Sequence, residues 1–317
     1  MKRLLFLMLA LALAVCGAAA VKSYRIKKVG MFPNFIALSP DAKTAYVTSF
    51  GTGDLVAVDL AARAITHVVQ VGSSPLGIAL AEGGKTALVA CKDSGTVAVV
   101  DLTSFRVDAN IKVTGLPNAI AVGPRGYRAF VTNFGRTKEG ALHIIDVRER
   151  AVTATIKMGL APIAVAVSPI NETVYVVNGG SNEVWVVNPD RQTVGAKISV
   201  GEAPDGIAIT PDGKRLFVTN SRSNDVTVID TQLQKVLITL PVGKKPFGVT
   251  VSRDGQRVFV VNTESRTISV FSASLKTLEP ESFPVEKGPV DVKVAPDNRT
   301  VVVVNEQSHS LVVLDIP

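Results

Sequence analysis

The stretch "PDGKRLFVTN", Pro211–Asn220, joins a tight-turn sequence to a short apolar run, and near-copies return as "SPDAKTAYVTS", "SRDGQRVFVVN" and "APDNRTVVVVN". Asp placed before Gly, Asn or Ala between two apolar runs is hairpin chemistry, because Asp bonds its own backbone and the next residue accepts a positive φ. Working outward, Val200–Pro241 reads "VGEAPDGIAITPDGKRLFVTNSRSNDVTVIDTQLQKVLITLP", with apolar runs "GIAIT", "LFVTN", "VTVID" and "VLITLP" separated by turn-formers. The unit is four short β-strands.

Aligning the chain on the proline after each "VG"-like pair gives Pro33, Pro75, Pro117, Pro162, Pro204, Pro246 and Pro289, spaced by 42, 42, 45, 42, 42 and 43 residues. Seven such units fill residues 21–317. Hydrophobic residues make up 47% of the sequence and charged residues 19%, which suits strands buried on both faces. A single four-stranded sheet with two apolar faces cannot bury both alone, so the units must stack, and seven of them close a ring.

The second strands carry a signature: "YVTS" at Tyr46, "LVAC" at Leu88, "FVTN" at Phe130 and Phe217, "YVVN" at Tyr175, "FVVN" at Phe259 and "VVVN" at Val302. The pattern resembles the YVTN-family β-propeller repeat over residues 21–317. The resemblance implies an all-β, seven-bladed β-propeller of four-stranded antiparallel blades. The seventh unit has three strands, "VDVKVA", "VVVVNE" and "LVVLDI", whereas "VKSYRIKKV", Val21–Val29, aligns with the outer strands "RAVTATIKM" and "QTVGAKISV". The N-terminal strand is therefore expected to complete the last blade.

Residues 1–20, "MKRLLFLMLALALAVCGAAA", pair a basic start with an apolar run too short for a membrane span and then small residues, the pattern of an export signal cleaved after Ala20. The expected location is periplasmic or secreted. An alternative is lipoprotein anchoring at Cys16, since "LAVC" approximates a lipobox, with Val15 departing from the usual small residue. Loss of the signal lowers the formal charge from +7 to +5, a mild excess. With the export signal, it gives no reason to expect nucleic acid as a partner. Only Cys91 then remains, so no intramolecular disulfide forms.

In this topology the loop before each innermost strand and the loop after each second strand share one rim. One place past the proline stand Asn34, Leu76, Asn118, Ile163, Asp205, Phe247 and Val290; the second loops add Lys92, Asp93, Arg222 and Arg266. The third unit inserts three residues in "NFGRTKEG", lengthening its loop with Arg136 and Lys138. These charges suit an acidic ligand, and they are also what solvated loops carry. The candidate ligand-binding residues are Asn34, Lys92, Asn118, Arg136, Asp205 and Arg222, facing an unknown protein or small anionic ligand.

The asparagine column, Asn133, Asn178, Asn220, Asn262 and Asn305, recurs with the repeat, which points to turn structure rather than chemistry. His67, His143 and His309 fall on different blades, so no metal site is expected. Trp185 lies in "EVWVV", where packing accounts for it. Some propellers of the resembled type bind haem or work beside a quinone subunit, but the sequence has no haem-attachment motif, and no cofactor is expected. Nucleophile-elbow, phosphate-loop, dinucleotide and calcium-loop signatures are missing too, so no catalytic residue is assigned. The expectation is a non-enzymatic exported scaffold. The alternatives are a lactonase-type hydrolase using Asp205 and Asp291, and an accessory subunit of a periplasmic redox system.

Overall fold

The computed structural model describes residues 21–134, 139–276 and 280–316. The export signal, Cys16, Arg136 and Lys138 lie outside the described residues. The described chain forms seven four-stranded antiparallel sheets. Six of them are built from four consecutive strands, as in Pro204–Ile209, Arg215–Asn220, Asp225–Asp230 and Lys235–Pro241. The seventh combines Pro289–Val294, Thr300–Asn305 and Ser310–Asp315 with the N-terminal strand Lys22–Lys27. Lys22 pairs with Asp315 and Lys27 with Ser310, so the closure read from the sequence is the one the fold adopts.

Period-two alternation stacks these sheets. Within Thr44–Ser49, Ala45 and Val47 face blade seven, where they meet Val302, Val304, Leu311 and Val313, while Tyr46 faces Ala87, Val89 and Ala98 of blade two. Seven such apolar clusters, one per blade interface, form the core. Ile26 and Val29 join the cluster that closes the ring.

The Asp-Gly hairpins share one face. Asp41 accepts from the Ser39 hydroxyl at 2.7 Å and the Lys43 N–H at 3.1 Å, and Asp212 and Asp254 repeat the pattern with Thr210 and Ser252. These bonds, led by the hydroxyl, hold the Asp41 and Asp212 carboxyls below the usual range. Their residue types answer to turn geometry.

On the opposite face the two rim loops of a blade are zipped together by backbone bonds, such as Lys92 N–H to Ser74 C=O at 3.1 Å and Ser221 N–H to Ala203 C=O at 2.9 Å; six blades show such bonds among the described residues. The shared rim expected from the sequence is thus formed.

Candidate functional site

Every innermost strand carries a buried proline at its start, as its second residue in blade three and its first in the others, and then slips register against the second strand, with one extra residue between Pro33 and Ile36, Pro204 and Ile207, Pro289 and Asp291, and at the matching place in each other blade. A bulge of this kind re-aims side chains. Here it turns the residues after the proline toward the axis, where they line a cavity of about 370 Å³. Six blades contribute three consecutive residues each, and the seventh contributes Asp291 and Lys293. Close approach at the axis explains two small residues: a Cβ on Gly77 would lie 2.7 Å from Asn118 O, and one on Gly248 the same distance from Val290 O.

Three of the candidate residues, Asn34, Asn118 and Asp205, come together in this cavity. They belong to blades one, three and five, and in those blades alone the second strand carries a threonine that caps the bulge: Thr48, Thr132 and Thr219 accept from the N–H groups of Phe35, Ala119 and Gly206 at 3.0, 3.0 and 2.8 Å. The intervening blades present Leu76, Ile163 and Phe247. The wall therefore alternates polar and apolar around the ring.

Asn118 donates to Ile163 C=O at 2.8 Å, tying blade three to blade four. Asp205 is half-buried; burial pushes its carboxyl above the ordinary carboxylate range, partly offset by the Ser221 hydroxyl and the Lys245 ammonium.

Lys92, half-buried, and Arg222, exposed, sit on the second rim loops outside the cavity lining. The sequence grouped them with Asn34, Asn118 and Asp205 by face, and of that group the structure puts only those three in the cavity wall. Asp291, named from the sequence only for the hydrolase alternative, and Lys293, not named there at all, also line the cavity. "VDVKV" puts a carboxylate and an ammonium where other innermost strands have small or apolar residues, which is the signal available in the sequence.

Asp291 is almost fully buried and accepts from Ile36 N–H at 3.1 Å across the ring seam, from Val292 N–H at 2.9 Å and from Lys293 Nζ at 3.1 and 3.2 Å. Its carboxylate is spent on the wall.

The remaining candidates have structural surroundings. Asn220 reaches Asp225 and Thr227, and Asn262 reaches Thr267 and Ser269, so there the amide bridges second and third strands, while Asn133 takes the Leu116 N–H at 2.7 Å as a turn cap. His143 is buried between Asn133 and Thr155, and burial lowers its pKa. Among the described residues no three His, Cys, Asp or Glu side chains come together as a metal site. Burial pushes the Cys91 thiol up to about 12, leaving it protonated at neutral pH. Trp185 is half-buried on a third strand beneath Lys197 and donates to Glu183 at 2.8 Å. No helix among the described residues is long and apolar enough to cross a membrane.

The family model of YNCE-like beta-propellers matches residues 145–256. No curated protein matches the chain. Among solved structures, a chain of Kuenenia stuttgartiensis hydrazine synthase is similar at 21% sequence identity and a TM-score of 0.81, over 92% of this chain and 97% of that one. At that identity the likeness speaks for the fold.

Proposed function

We propose, for a chain whose family match and seven-bladed ring fit a YVTN-type β-propeller repeat protein, that it is an exported, non-enzymatic binding scaffold whose ligand sits in the axial cavity on the rim face. The observation that carries this reading is the convergence of all seven blades on one cavity of about 370 Å³, with a bulge in each blade aiming side chains into it. Concave, largely apolar sites with a few converging polar groups are the usual form of small-molecule sites, and this volume lies at their small end. Export rests on the leader sequence.

The test is to compare small molecules that co-purify with the parent, with Leu76→Trp, which fills the cavity, and with Asp212→Ala on the hairpin face. The expected result is a ligand present in the parent and Asp212→Ala and absent from Leu76→Trp. Retention of the same ligand by Leu76→Trp would place the site elsewhere, and turnover of a lactone by the parent would overturn the non-enzymatic reading. Sequencing of exported material should begin at Val21; a lipid-modified Cys16 would replace soluble export with anchoring.

A further inference from the structure

We propose that the cavity takes a small organic cation, a protonated amine on an apolar body, with its ammonium against the Asp205 carboxylate. This rests on the axial cavity being the binding site. Three charged side chains line it: Asp205, Asp291 and Lys293. Lys293 Nζ lies 3.1 and 3.2 Å from the two Asp291 oxygens, so those two charges neutralise each other, and the remaining Asp291 capacity goes to the Ile36 and Val292 N–H groups. The Asp205 carboxylate is paired with no cation of the wall: Lys245, which together with the Ser221 hydroxyl only partly offsets its burial, stands exposed on the rim loop. An anion entering here meets that charge and finds the only lining ammonium already paired.

The neighbouring polar groups fit the same class of ligand. Asn118 gives one of its two amide N–H groups to Ile163 C=O, and neither its amide oxygen nor the Asn34 side chain forms a hydrogen bond with any described residue. An ammonium has three donors and no acceptor, so two amide oxygens and a carboxylate on alternate blades match its needs. Leu76, Ile163 and Phe247 on the blades between them supply apolar contact, and the Phe247 ring adds a face that attracts cations. The anionic ligand expected from Lys92, Arg136 and Arg222 was read from loop charges; the cavity itself has the opposite sign.

The experiment uses the mature protein with three isosteric probes, 4-fluorobenzylamine, 4-fluorobenzyl alcohol and 4-fluorobenzoate. Binding is followed by fluorine NMR and located by methyl shifts of Ile78 and Ile163. The amine should saturate a site that moves these methyls, tenfold or more tightly than the alcohol or the benzoate. Asp205→Asn should weaken it by tenfold or more, and Asp212→Asn should leave it unchanged. Methyl shifts as large with the alcohol or benzoate, or full amine affinity in Asp205→Asn, would overturn the cationic assignment and leave the cavity as the site. No probe reaching the methyls would also overturn it, whereas the cavity itself stands or falls on whether Leu76→Trp loses the co-purified ligand.

Discussion

At the scale of single residues, the information lies where the repeat is broken. Asn34, Asn118 and Asp205 were legible as departures at one repeat position. Their coincidence with Thr48, Thr132 and Thr219 explains how three polar groups are held at the axis. What the sequence hid was direction. One extra residue after each proline decides which side chain meets the cavity, and a bulge has no composition of its own; Lys293 was missed for that reason.

The Asp205 carboxyl holds its proton to higher pH in the folded chain than in the unfolded one, because burial disfavours its charge. Between the two pKa values the native state binds more protons, so stability falls as pH rises through that interval. Asp205→Asn removes this loss, and its melting temperature should gain on the parent's as pH rises above the ordinary aspartate value of about 3.9; parallel curves would show that the carboxyl is well solvated. A second residue-scale prediction concerns Ala203, the residue before a channel proline, which sits at φ 49°, as do Phe32, Ser74, Ala161 and Lys245 at nearby values. A side chain in the left-handed region costs roughly 1–2 kcal/mol, against about 0.5–1 kcal/mol for the chain entropy of glycine. Ala203→Gly should therefore stabilise by about 0.5–1 kcal/mol in urea unfolding, and a destabilised variant would show that the turn is unstrained.

At the scale of elements, the sequence was read almost completely. Alternating apolar runs gave four strands per unit, and Asp-Gly turns gave the hairpins, because both depend on local pattern and backbone geometry. The outer strands were harder to judge, since they face solvent and keep little periodicity. Protein edges are commonly guarded by charge. Arg106–Lys112 follows that rule, with Arg106, Asp108 and Lys112, whereas Lys235–Pro241 exposes Val236 and Leu237, the latter 44% exposed, with Leu233 beside them in the preceding turn. Ala64–Gln70, which exposes Ile65 and Val68 and carries no charged side chain, is another weakly guarded edge. Leu237→Lys should lower aggregation on heating while shifting stability by no more than about 0.5 kcal/mol, as exposed positions do. Unchanged light scattering at matched unfolding would show that aggregation starts elsewhere.

At the scale of the whole molecule, the ring depends on a strand that sequence order places farthest from its partners. The closing interface is built like the other six. Ile26, 4% exposed, occupies the place that Ile111, Ile156, Ile198 and Leu240 hold on chain-internal outer strands, and it packs with Val29, Leu311 and Val313. The seam is reinforced on the axis by Asp291 to Ile36 N–H, and on the rim by Val29 N–H to His309 C=O at 3.2 Å and Phe32 N–H to His309 Nδ1 at 3.1 Å.

Ile26→Ala should therefore cost about 2–4 kcal/mol, the range for emptying a buried isoleucine site, comparable with Ile156→Ala. Deleting residues 21–28 should do more, because it bares the whole Ser310–Asp315 edge to other chains. The physical requirement is a strand at that edge, not a strand at the N-terminus. Lys22 pairs with Asp315 as Lys235 pairs with Asp230, which it follows across a turn of four residues, Thr231–Gln234. A variant lacking 21–28 but carrying the segment 22–27 after Asp315 through a turn of that length should regain most of the lost melting temperature and stay monomeric. If the deletion alone melts like the parent, the N-terminal strand does not close the ring. If the relocated strand restores nothing, closure depends on the residues leading into blade one, Val29 and Phe32 against His309, rather than on completing the sheet.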